Sequence, residues 1–187
     1  MKNSFTGIVS AVVVTLILAA VSARAGGGTT NATASAAATT STNKIQLKVI
    51  KVDSEETAGE DGHGTNAVDG KPGTIWHTEW QDSNPPTPHE IIIEMIPPSS
   101  IKGFTYLPRQ DEEVNGTIAD YEFYISDDEK DFGKPVKKGT FSGEGKEKRT
   151  ATFDAKKGKY IKLKALSEIN GAAWTSAAEI GVIPDEK

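Results

Sequence analysis

Cysteine is absent from the 187-residue sequence. That excludes disulfides, thiolate metal sites, a cysteine nucleophile and a lipidated N-terminal cysteine. Three histidines and no thiol leave little for a zinc centre. A basic excess is also missing, with 21 Lys+Arg against 26 Asp+Glu and a formal net charge of −5. This balance argues against a nucleic-acid partner, which calls for a basic stripe, and against electrostatic attachment to anionic lipid. No Ser/His/Asp set carries a recognisable nucleophile turn. There is no internal repeat, and past the first residues no segment sustains a helical period. The length suits one ordinary domain, and 36% hydrophobic residues suffice for a core.

The one long apolar run is at the start. Lys2 opens a short positive region, residues 8–21 are almost entirely apolar, and Ala23-Arg24-Ala25 has the small-x-small form of a cleavage site. The run is short of the ~20 residues a membrane span needs. Residues 1–25 therefore read as a signal peptide, with an uncleaved anchor as the alternative, and the protein is expected to be secreted, periplasmic or at the cell surface. Cleavage would remove Lys2, Arg24 and no acid, taking the charge from −5 to −7, with no membrane insertion of what remains. Residues 26–43 are Gly, Thr, Ala, Ser and Asn without charge or large apolar side chains, the composition of a flexible linker.

Residues 44–187 read as an all-β domain. Ile101 to Tyr106 alternate so that Phe104 and Tyr106 share a face; Tyr121, Phe123 and Ile125 form a second alternating set, and Ile161, Leu163 and Ala165 a third. Ile91-Ile92-Ile93 suits a strand covered on both faces, and Thr150, Thr152 and Phe153 mark another strand. Turns are expected at Pro85-Pro86, Pro97-Pro98, Asp127-Asp128, residues 143–145 and Lys157-Gly158. Many short strands at this spacing predict a β-sandwich of jelly-roll type.

Residues 66–80, NAVDGKPGTIWHTEW, are richer in special residues than a sandwich needs. This block resembles the signature of the discoidin, or coagulation factor 5/8 type C, superfamily. More narrowly it is similar to the galactose-binding-like carbohydrate-binding modules of family 32. Further similar blocks follow in order: Pro88-His89-Glu90-Ile91, residues 106–111 (YLPRQD), Asn115-Gly116-x-Ile118, residues 120–126 (DYEFYIS), Tyr160-Ile161-x-Leu163 and residues 174–180 (WTSAAEI). The resemblance spans about residues 44–184 and implies the same galactose-binding-domain-like jelly roll.

A neutral sugar presents hydroxyls and an apolar C–H face, so it calls for a flat aromatic and a few fixed donors and acceptors. Trp174, in a loop between Asn170-Gly171 and Thr175-Ser176, is the candidate platform; the alternative is a loop Trp folded back over the core. His77 and Arg109 offer donors, Glu60 an acceptor and Asn115 either. The resemblance implies that His77, Arg109 and Asn115 meet the ring hydroxyls with Glu60 nearby, that Trp174 stacks, and that Trp80 belongs to the site or simply walls the pocket. Taken alone, His77 could be a core histidine and Arg109 an ion pair with Asp111 or Glu112. Trp76 is expected in the core, His63 in a loop and His89 at a strand start.

The resemblance also implies a structural Ca²⁺. Asn66-x-x-Asp69-Gly70-Lys71-x-x-Thr74 is a tight turn with one carboxylate, able to aim oxygens at a point. The implied ligands are the Asn66, Lys71 and Ala178 carbonyls, the Thr74 carbonyl and hydroxyl, and the Asp69 and Glu179 carboxylates. The alternative is a plain Asp-Gly turn with Glu179 facing solvent.

The expected function is non-catalytic binding of glycans ending in galactose or N-acetylgalactosamine, lactose-type termini included. The alternatives are a discoidin-like adhesion or lipid/protein-binding module and an accessory module of a glycoside hydrolase system. A glycosidase would need two carboxylates set across the sugar; Glu60 and Glu79 flank the pocket, but the domain has no second module to form a long cleft.

Overall fold

The computed structural model describes residues 44–143 and 145–186. Residues 1–43, the stretches read above as signal peptide and linker, lie outside the described residues. Eight strands and one 3-10 turn follow in order: β1 (Gln46–Val52), the turn Gly64–Val68, β2 (Trp76–His77), β3 (His89–Leu107), β4 (Asp120–Ser126), β5 (Lys137–Thr140), β6 (Arg149–Ala165), β7 (Ser176–Ala177) and β8 (Glu179–Pro184). All pairings between these strands are antiparallel.

Two long strands build both layers of the sandwich. The first half of β3 pairs with β1 and with the second half of β6, which also pairs with β4. The second half of β3 pairs with β8 and with the first half of β6. The expected turns at Pro97-Pro98 and Lys157-Gly158 are therefore not chain reversals. Both pairs lie inside continuous strands, where the β3–β6 register breaks between Glu94 and Ser99. Proline interrupts a ladder without ending the strand when the sheet itself turns a corner there.

A second irregularity corrects the simple alternation in β3. Ile91, Ile93, Met95 and Ile101 are core residues at odd positions, whereas Phe104 and Tyr106 are core residues at even ones. A bulge between Ile101 and Gly103, present against both β6 and β8, absorbs the extra residue and keeps one face inward.

The core between the layers is aromatic. Phe104 stacks on Phe123 with centroids 4.1 Å apart and meets Tyr121 edge-on at 5.3 Å. Burying a side chain of this size contributes about 1.5–3 kcal/mol, so Phe104→Ala would cost ~3–5 kcal/mol once the cavity is included. Trp76 belongs to the same core, its indole N–H donating to the Ser54 carbonyl at 2.9 Å. Ile92 turns the other way and packs with Tyr124 and Phe132 on the reverse of the sheet, so the isoleucine run is covered on both faces. Among the described residues no helix is long and apolar enough to cross a membrane.

Candidate functional site

The short β2–β7 ladder draws the loops together at one end of the fold. Its register places His77 opposite Ser176. Ser176 also accepts a place beside the Asn115 loop: its N–H donates to the Gly116 carbonyl at 2.7 Å and its hydroxyl to the Asn115 carbonyl at 3.1 Å. One residue earlier, the Thr175 N–H donates to the Thr78 hydroxyl at 2.9 Å, and the Thr78 N–H returns to the Thr175 carbonyl at 2.9 Å. Tyr106, buried at the end of β3, receives the Ile118 N–H and donates to the Ser176 carbonyl at 2.9 Å. Three loops distant in sequence are thus fixed around His77.

His77 is 1% exposed. Its Nδ1 lies 2.7 Å from the Thr78 carbonyl, an acceptor, so Nδ1 carries the proton and donates. Burial, helped by the charge of Arg109, holds the imidazole below its ordinary value against the raising effects of the Thr78 carbonyl, Glu60 and Glu56. The ring is therefore neutral near pH 7, and Nε2 is a bare acceptor. That atom is buried and has no hydrogen-bond partner in the protein. Buried polar atoms are rarely left this way.

Around it stand groups of both polarities. Glu60 Oε1 lies 3.9 Å from His77 Nδ1 and accepts the Trp80 indole N–H at 2.9 Å. Trp80 is 39% exposed. Arg109, almost wholly buried, grips Asp111 with Nε and Nη2 at 2.7 and 2.6 Å and reaches Asn115 Oδ1 with Nη1 at 2.6 Å. The expected alternative of an Arg109–Asp111 ion pair is thus present together with the Asn115 contact. Although burial alone would lower its pKa, the Asp111 carboxylate, with Glu60 and Glu113, raises it. Three of the five guanidinium N–H groups are engaged by these residues, and the Asn115 amide nitrogen remains a donor. Glu60, His77, Trp80, Arg109 and Asn115 form one linked set. Trp174 is half-buried, directly before Thr175 and Ser176, whose bonds to Thr78 and to the Asn115 loop fix the chain there, and its indole N–H is buried without a partner. A groove of about 400 Å³ on the reverse of the sheet, lined by Ile50, Ile92, Phe132 and Lys162, contains none of the six.

Three organising residues carried no signal in the sequence reading. The Glu56 carboxylate, fully buried, accepts four backbone N–H groups: Ala58 and Gly59 on one oxygen, Trp80 and Gln81 on the other, at 2.7–2.8 Å. Those bonds outweigh burial and lower it to about 2. Glu168 does the same for the loop before Trp174, accepting the Asn170 and Ala172 N–H groups. His89 opens β3 as expected, yet it is buried and bridges Asp53 to the Ala173 carbonyl. Its position before an isoleucine run hid that role; Glu56 and Glu168 resembled solvated charges. His63 is the exposed loop residue foreseen, paired with Asp61.

The second candidate cluster is the turn after Gly64–Val68. Asp69 accepts the Lys71 N–H at 2.8 Å and the Thr74 hydroxyl at 2.9 Å. The Asn66 amide donates to the Asp61 and Ile75 carbonyls. Lys71 is exposed, with its ammonium 3.8 Å from Asp69 Oδ2. Glu179 does not face solvent freely: its Oε1 is buried without a partner. Burial and the neighbouring Asp69 charge raise its pKa, although the Gly70 and Lys71 N–H groups oppose this. Ala178, just before it, is fully buried, with its N–H on the Leu107 carbonyl at 2.9 Å. Two carboxylates thus face each other across a turn, one with an unsatisfied oxygen.

The chain is similar to known proteins. A sialidase from Micromonospora viridifaciens is 39% identical over 141 residues, 75% of this chain and 22% of the relative. The chain spans about a fifth of the length of the curated relatives it matches. Among solved structures, a family 32 carbohydrate-binding module from Clostridium perfringens, in complex with GalNAc-β-1,3-galactose, superposes with a TM-score of 0.66 at 32% identity, covering 74% of this chain and 95% of that one. A second, from C. perfringens NanJ in complex with galactose, gives 0.62 at 26% identity, covering 73% and 93%. The profile of the F5/8 type C domain matches residues 28–180, reaching back into the stretch read as linker. With that match over most of its length, and family 32 modules as its structural neighbours, the chain belongs to the F5/8 type C domain family.

Proposed function

We propose that the domain is a non-catalytic carbohydrate-binding module whose loop cluster takes sugars of galactose configuration. The observation that carries this reading is the bare, buried Nε2 of His77, on a ring within reach of the Arg109 charge. A fixed acceptor on His77 and a fixed donor on Arg109 would together suit a single hydroxyl, which both donates and accepts. The axial 4-hydroxyl of galactose stands clear of the ring and suits such a pair. It also leaves a continuous C–H patch on the opposite face for a half-exposed indole, the role given to Trp174. Asn115 and Glu60 would meet the adjoining hydroxyl, and Trp80 would wall the pocket. The complexes of the two C. perfringens modules with galactose and GalNAc-β-1,3-galactose support this choice of ligand.

In this reading the residues bind and orient, and none attacks. Glu60 accepts the Trp80 indole N–H through Oε1. A single ring offers few atoms and must shed water from its hydroxyls, so one site binds weakly and firm attachment depends on clustered glycans. The relatives carry the domain as a minor part of much larger enzymes. That context favours work beside a glycoside hydrolase system, outside the cell or at its surface.

The turn at Asp69 fits a structural Ca²⁺. Facing carboxylates with one oxygen unsatisfied are an arrangement that a divalent cation neutralises. Asn66, Asp69, Lys71, Thr74, Ala178 and Glu179 would hold the ion through the oxygens named above. It would supply a tie between the turn and the start of β8, and no chemistry at the sugar.

Calorimetry with galactose on the protein and on Trp174→Ala tests the proposal. Binding by the first and none by the folded variant is expected; equal binding by both would remove Trp174 from the site.

A further inference from the structure

His89 lies outside the set of residues that would touch sugar, yet it is completely buried and both of its ring nitrogens are spoken for. Nδ1 is 2.8 Å from Asp53 Oδ2, and Nε2 is 2.9 Å from the Ala173 carbonyl. Both partners are acceptors. Asp53 is further fixed by the Glu90 N–H, which donates to Oδ1 at 2.7 Å. A neutral imidazole can donate from one nitrogen only, so this arrangement is satisfied in full by the imidazolium alone. On loss of a proton the carboxylate keeps the N–H on Nδ1. Nε2 then turns a lone pair toward the Ala173 oxygen, and the attraction becomes repulsion.

We infer that His89 is a positioning residue for Trp174, its imidazolium bridging Asp53 and the carbonyl of the residue directly before the indole and thereby holding the Trp174 loop in place. The inference rests on the reading of Trp174 as the sugar platform for its significance, but not for its geometry.

The surroundings agree with a charged ring. Burial favours the neutral form, but the Asp53 hydrogen bond and charge, with the Ala173 and Pro85 carbonyls, outweigh it and raise the pKa. The Asp53 carboxyl is the acidic group against the ring. Glu90, next in β3, turns to Lys162 at 3.5 Å. Ala165, opposite His89 across β6, carries no charge. Beyond the indole the loop is anchored by the Thr175 N–H on Thr78, and ahead of Ala173 by Glu168, which holds Asn170 and Ala172. Raising the pH through the His89 midpoint should therefore free the Ala173 end while leaving Thr175 fixed.

The test uses the full chain labelled with 5-fluorotryptophan, without sugar. Its three indoles are assigned by single Trp→Phe variants, and the His89 imidazole protons are followed by NMR in parallel. The Trp174 resonance is expected to shift with the His89 midpoint, above pH 6.5, while Trp76 does not. His89→Gln places a non-titrating amide donor near Nε2 and should hold Trp174 at its low-pH position throughout. His89→Leu should place it at the high-pH position at every pH or, if it fails to fold, leave the Gln variant to decide. A Trp174 signal that ignores the His89 titration, or that titrates unchanged in His89→Gln, overturns the inference. A Trp174 signal that follows His89 in a protein with no affinity for galactose would sustain it and refute the sugar reading instead.

Discussion

The Glu56 carboxylate receives the backbone N–H of Trp80 at 2.8 Å across 24 residues of sequence. With its other oxygen on Ala58 and Gly59, it clamps the loop that carries Glu60 to the segment that carries His77 and Trp80. Because its folded pKa of about 2 lies below the ordinary 4.5, its contribution is complete above pH 4.5 and is lost as pH falls toward 2. Glu56→Gln should therefore melt several degrees lower than the parent at pH 7, with the difference closing over that acid window. Thermal melts of both proteins at pH 7, 4 and 2.5 check it; a constant difference would remove the carboxylate charge from the account.

On the proposed reading, His77 sets the acid limit of binding. Protonation would place a proton on Nε2, turning the acceptor into a donor and adding charge beside Arg109. Since burial lowers this pKa below 6.5, affinity for galactose should hold down to that pH and fall in more acid solution, as the imidazole takes up a proton. Together with the loosening expected above the His89 midpoint, the profile is bell-shaped. Affinity titrations run alongside NMR of the His77 imidazole measure it, and affinity unchanged as that ring protonates would exclude Nε2 as an acceptor.

Gly116 has φ +80°, and a Cβ there would lie 2.8 Å from the Ser176 backbone nitrogen. Both the left-handed backbone and the close approach require glycine. Gly116→Ala should cost about 1–3 kcal/mol and separate Asn115 from the Trp174 loop. Chemical denaturation and a galactose titration check the two effects; full affinity in the variant would show that the Gly116–Ser176 contact does not shape the pocket.

Chelation tests the ion. At free Ca²⁺ about one hundred times Kd the gain is ~2.7 kcal/mol, or about 5–10 °C in Tm for a domain of this size. Asp69→Asn should abolish the response to added Ca²⁺. Identical melts with Ca²⁺ and with chelator would discard the site.

Much of this was legible in the sequence. Alternation in residues 121–125 and 161–165 gave the inward faces, and the ordered blocks pointed to the loop cluster. The continuity of β3 through Pro97-Pro98 and of β6 through Lys157-Gly158 was hidden, because local turn chemistry is the same whether a chain reverses or a sheet bends. Glu56, Glu168 and His89 were hidden for another reason. Their partners are backbone groups or residues tens of positions away, and a carboxylate bonded to main-chain N–H looks in sequence like any surface acid.

The most direct test of the central claim is a pair of calorimetric titrations of the full chain with galactose and with glucose, which differ only in the orientation of the 4-hydroxyl. A paired acceptor and donor at His77 and Arg109 predicts weak saturable binding of galactose, at least tenfold tighter than glucose, and loss of that preference in His77→Ala. Equal affinities for the two sugars, or no heat with galactose at millimolar concentration, would contradict it.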